Sequence, residues 1–91
     1  MAKKNKSALK RAAQAERRAL RNRAVKSRTR TAIRRFREAM EHNDRQLLSE
    51  RLRQAVRVID KAVARGVLHK NTAARRKSLL YRLFNKKTAQ T

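Results

Sequence analysis

The sequence predicts an all-α protein, an antiparallel three-helix bundle whose N-terminal helix overhangs the other two. Three observations lead there. The 91 residues include no proline and one glycine, and Ala, Leu, Arg, Lys and Gln dominate, so propensity favours helix almost everywhere. Apolar residues recur at three- and four-residue spacing in three stretches separated by two short breaks. The first stretch is far longer than the others, yet its apolar positions fill only its second half. A chain of 91 residues builds one domain, here residues 1–91. It divides into a basic extension of the first helix (1–24), the bundle (25–86) and a tail (87–91).

The first helix is expected over residues 7–42, the second over 44–65 and the third over 70–86. In the first, the stripe runs through Val25, Thr29, Ala32, Ile33, Phe36 and Met40. Asn43 is the expected N-cap of the second helix, with Gln46 completing a capping box. That helix has the strongest stripe: Leu48, Leu52, Ala55, Val56, Ile59, Ala62 and Val63. Gly66 suits the left-handed position just past its end, with Val67 folding back on the last turn. Asn71 or Thr72 is expected to cap the third helix, with a start as early as His69 as the alternative. Ala73, Leu80, Leu83 and Phe84 form its core face, flanked by Leu79 and Tyr81. The short connections make neighbouring helices antiparallel.

Residues 6–24 do not fit a bundle. They offer mostly Ala beside Leu9 and Leu20, with Lys or Arg on every side. A helix polar all round is unstable alone or supported by a partner. The first helix is expected to be about 54 Å long against about 33 Å for the second, and the roughly 18 residues without a stripe, about 27 Å, overhang the bundle. Residues 1–24 are therefore expected to be largely disordered in the free chain and helical when bound.

Charge divides along the same lines. The chain holds 28 Lys and Arg against 6 Asp and Glu, a formal charge of +22. Residues 1–37 carry 15 basic side chains and one acid, Glu16. Residues 38–66 are almost balanced, and residues 67–91 carry seven basic side chains and no acid. Self-repulsion of this size destabilises a compact state, so a polyanionic partner is the economical explanation. One basic run is usually only a solvated face. Two acid-free runs flanking a balanced helix point to binding.

The residues also exclude classes of function. There is no cysteine, and the two histidines, His42 and His69, are too few and too far apart for a metal site. No paired carboxylates, nucleophile–base set or Gly-rich phosphate loop can be assembled, so neither catalysis nor a cofactor is expected. No apolar run exceeds three residues, which argues against a transmembrane helix or a signal-peptide core. A membrane-surface helix is disfavoured because residues 6–24 lack an apolar stripe. A helix-turn-helix DNA reader is disfavoured because the third helix begins with only Ala73 and Ala74 as apolar anchors.

Phe36, Phe84 and Tyr81 are the only aromatics, too few to stack single-stranded bases. Backbone and shape recognition of folded, double-helical nucleic acid remains. The stretch after Gly66 suits it. A helix N-terminus favours phosphate, Lys70, Arg75 and Arg76 add charge, and Asn71 and Thr72 add donors.

"GVLHKNTAARRKSLL" (66–80), "NKSALKR" (5–11), "RNRAVKSRTRT" (21–31) and "IRRF" (33–36) closely resemble the bacterial small-subunit ribosomal protein family number twenty. The resemblance covers nearly the whole chain, and the Gly–x–x–His–Lys–Asn–x–Ala–Ala–Arg pattern is fairly specific. It implies a primary binder of small-subunit (16S) ribosomal RNA, cytoplasmic and within the 30S subunit. It further implies a long first helix inserted among RNA helices and a role in assembly. The chain would be a monomer when free, with few or no protein contacts. The family's basic and polar positions fall on Ser7, Lys10, Arg11, Asn22, Ser27, Arg30, Thr31, His69, Lys70, Asn71, Arg75, Arg76 and Lys77. The dense charge around them adds Lys4, Lys6, Arg17, Arg18, Arg21 and Lys26, with Thr72 beside Asn71.

Overall fold

The computed structural model describes residues 5–90, which form three α-helices: α1 (Asn5–Ala39), α2 (Arg45–Ala64) and α3 (Lys70–Gln90). α2 is the central element and packs closely against both α1 and α3. Its start lies beside the end of α3, where Arg45 Nη2 donates to the Thr88 carbonyl at 3.0 Å. Nearer its end, Asp60 accepts from Lys77 Nζ at 2.8 Å. Both contacts require α2 and α3 to run antiparallel.

The core joins Val25, Phe36 and Ala39 of α1 to Leu48, Leu52, Ala55, Ile59 and Ala62 of α2. Ala73 and Leu80 of α3 and Leu68 of the connection close it. Thr29 is fully buried, and its Oγ1 donates to the Val25 carbonyl at 3.0 Å, so the hydroxyl costs the core no unpaired donor. The stripes expected on α2 and on the second half of α1 form this core. Ala39 and Leu68 join it without having been anticipated.

The α1–α2 turn is capped one residue later than expected. Asp44 is the N-cap, with extended φ −123° and ψ 97°, and its Oδ1 accepts from the Leu47 amide at 3.1 Å. Leu47 thus takes the position where a capping box needs Glu or Gln, so Gln46 completes none. The cause is the chain path. α1 ends at Ala39, and Met40, Glu41 and His42 make tightened turn bonds back to Phe36, Arg37, Glu38 and Ala39. Asp44 then meets the new helix, where its charge also favours the dipole.

The α2–α3 turn follows the glycine expectation. Gly66 has φ +73°, the Gly66 amide donates to Val63 O at 2.9 Å, and the Val67 amide donates to Ala62 O at 2.9 Å. Those two bonds are the Schellman closure. The closure drops Leu68 into the core and brings the next ring, His69, to the mouth of α3. His69 Nδ1 accepts from the Asn71 amide at 3.0 Å, so His69, not Asn71 or Thr72, caps the helix. α3 also continues to Gln90, past the expected end at 86.

α1 has 35 residues against 20 in α2, so it projects about 22 Å beyond the bundle. Among the described side chains of α1, Val25 is the first that is buried. The principal extents are 70 × 22 × 13 Å, and the radius of gyration is 18.5 Å. A compact chain of this length would have about 12 Å. The overhang makes the difference.

Candidate nucleic-acid interface

Two ion pairs form between described residues: Arg34 with Glu38 at 3.6 Å and Lys77 with Asp60 at 2.8 Å. Most of the positive charge has no acidic partner within the chain. It gathers in three places.

The first is the overhang. Lys6, Ser7, Lys10, Arg11, Arg17, Arg18 and Arg21 are all exposed. At 100° per residue, Ser7, Arg11 and Arg18 lie in line with Val25, Thr29 and Phe36. The seam that is apolar under the bundle therefore continues as a polar, cationic seam beyond it. Where the overhang leaves the bundle, Arg18, Arg21 and half-buried Asn22 face Arg65, Gly66 and Val67 across a notch floored by Val25.

The second is the groove between α1 and α2. Ser27 and Thr31 line it with Arg28, Arg35, Gln54 and Arg57. Lys26 and Arg30 stand exposed on α1 nearby in sequence, outside the lining of that groove.

The third is the outer face of α3. Asn71 and Arg75 are exposed, and Ser78, Arg82 and Lys86 continue their ridge at helical spacing. Lys70 is exposed at the helix start, while Thr72 is half-buried. Arg76 and Lys77 are half-buried, flanking the core seam rather than facing outward, and Lys77 is engaged with Asp60. His69 spends Nδ1 on its cap, which leaves the Nε2–H of the neutral ring as an outward donor. Lys4 lies outside the described residues.

The structure thus brings the α1 overhang and the α2–α3 turn together, and separates the α3 cluster into an outward pair and a seam pair. Arg28, Arg35, Arg57, Arg65, Arg82 and Lys86 were not anticipated as site residues. Arg28 and Arg35 follow Arg21 at seven-residue spacing on one face of α1, a signal present in the sequence. Arg57 and Arg65 were hidden by the charge balance of residues 38–66.

The family model described as ribosomal protein S20 matches residues 3–85. The chain belongs to the S20 family. Among its relatives, the small ribosomal subunit protein bS20 of Moorella thermoacetica is 57% identical over 84 residues, 92% of this chain and 80% of the relative. That of Caldanaerobacter subterraneus is 58% identical over 80 residues, 88% of this chain and 76% of the relative. The small ribosomal subunit protein bS20 of Mycolicibacterium gilvum is 54% identical over 71 residues, 78% of this chain and 83% of the relative. The S20 match spans the overhang, all of α2 and most of α3, so the cationic clusters described above fall within it except for Lys86 at the far end of the α3 ridge.

Proposed function

We propose that this S20-family chain is a structural constituent of the small ribosomal subunit that binds 16S ribosomal RNA through its phosphate backbone. Its family places it in the cytoplasm, within the 30S subunit, where its relatives are structural ribosomal proteins. The carrying observation is the overhang: a helix with seven exposed basic or hydroxyl side chains from Lys6 to Arg21 and, among the described residues, none buried before Val25. Such a helix gains its support from a polyanion. Phe36 is buried and Phe84 half-buried, which leaves Tyr81 as the exposed aromatic and favours shape over base stacking.

In this reading α1 lies against RNA helices through Lys6, Ser7, Lys10, Arg11, Arg17, Arg18, Arg21, Asn22, Lys26, Ser27, Arg30 and Thr31, and Lys4, outside the described residues, adds to the same charge. The start of α3 adds His69, Lys70, Asn71, Thr72, Arg75, Arg76 and Lys77. Neutralising closely spaced phosphates lets RNA helices approach, which is how the protein promotes assembly. It acts as a monomer without cofactor or catalysis, making few protein contacts. Filter binding to transcribed 16S RNA, with an equally long unrelated duplex as competitor, tests this. Tighter binding to the 16S transcript supports it; equal affinity for both refutes it.

A further inference from the structure

The notch where the overhang leaves the bundle has a property that neither run of charge has alone. Arg18 and Arg21 of α1 and Arg65, the C-cap of α2, converge on one cavity of about 560 Å³, lined also by Asn22, Val25, Gly66 and Val67. No acid lines it, and none of the three arginines pairs with an acid among the described residues. Three like charges facing one concavity repel each other. The Val25 and Val67 walls lower the local dielectric and sharpen that repulsion, and they equally strengthen attraction to an anion.

We propose that this notch is a phosphodiester site, and that filling it fixes the direction of the α1 overhang; this rests on the RNA-binding reading above. The backbone amides of Arg65, Gly66 and Val67 are already spent on Lys61, Val63 and Ala62 carbonyls. The donors are therefore the three guanidinium forks and the Asn22 amide, a set that suits phosphate oxygens held two at a time. Gly66 leaves the rim open, because a Cβ there would meet nothing within 4 Å. A continuous strand can pass through such a notch, with one phosphate seated and its neighbours outside. Seated there, the phosphate links α1 to the α2–α3 turn at the last point before α1 loses all contact with the bundle.

Two measurements on the full chain test this. Inorganic pyrophosphate, added at constant ionic strength, should shift the Nε–H resonances of Arg18, Arg21 and Arg65 saturably; equal drift of all arginines would overturn the site. Arg65→Gln keeps the capping amide, and Arg18→Gln lies outside the bundle, so neither removes a core contact. Each should bind 16S RNA about tenfold more weakly, with a salt slope smaller by about one unit. Amides of residues 6–24 in the Arg65→Gln complex should exchange faster than in the wild-type complex, while those of α2 stay unchanged. Wild-type RNA affinity and slope in both variants, with the pyrophosphate shifts lost, would make the notch a free-anion site and sink the proposal alone. Failure of the wild-type chain to bind 16S RNA would instead remove the parent reading.

Discussion

Gly66 and His69 divide the work of one turn. Gly66 supplies φ +73°, and a Cβ there would touch nothing, so a side chain is penalised by backbone conformation alone. Gly66→Val should therefore destabilise the fold by about 1–2 kcal/mol, measurable by thermal or urea unfolding. A loss near zero would show that the turn relaxes to another closure. His69 offers a cleaner separation of structure from binding, because its cap uses Nδ1 and leaves Nε2 outward. His69→Ala should lose about 1 kcal/mol of stability, the usual worth of a cap. His69→Asn keeps a capping oxygen, so it should fold like wild type yet bind RNA about fivefold more weakly, the worth of one hydrogen bond. Equal RNA affinity for His69→Asn and wild type would confine His69 to capping. The glycine was legible in the sequence because few residues tolerate that conformation. The cap was not, since Asn71, Thr72 and His69 are all competent, and only the depth at which Leu68 anchors decides which one reaches the helix mouth.

Among the elements, α2 was the most legible and α3 the least. A strong period against balanced charge fixes α2 as the central wall, with Leu48, Leu52, Ala55, Ile59 and Ala62 buried. On α3, charge density alone could not say which cations face out. Rotation places Arg75 with Arg82 outside and Arg76 with Lys77 beside the core seam. Replacing Lys70, Arg75 and Arg82 with Gln should thus weaken RNA binding and reduce the salt slope by up to about three units, while stability holds or rises slightly as repulsion is relieved. Replacing Arg76 should also cost some stability, because its stem packs on the flank. Unfolding midpoints measured beside filter binding separate the two. If the triple variant bound RNA like wild type, α3 would serve only as a bundle wall. The overhang is helical from Asn5, yet among its described side chains none is buried before Val25. The expectation of a free-state disordered segment becomes one of low local stability: amides of residues 6–24 should exchange far faster than those of α2 in the free chain and slow on RNA binding. Matching protection in both segments without RNA would contradict it.

Across the whole molecule, charge acts on folding and on binding with opposite sign. A chain at +22 with a radius of gyration of 18.5 Å carries its excess on α1 and α3, on either side of a small core. In the free protein those charges repel, and added salt screens them over a Debye length of about 10 Å at 0.1 M. The unfolding midpoint should rise with sodium chloride. In the complex the same charges displace counterions from RNA, so salt opposes association. If 6–10 phosphates are neutralised, affinity should fall about 10³- to 10⁵-fold between 50 and 200 mM salt, with the B-DNA relation as an upper guide for RNA. The two measurements share a buffer series and one protein stock. Rising stability with falling affinity is the signature of charge held against its own repulsion for a partner. A flat affinity curve would move the source of binding away from the basic faces, and a falling midpoint would show that internal ion pairs beyond Arg34–Glu38 and Lys77–Asp60 hold the fold together.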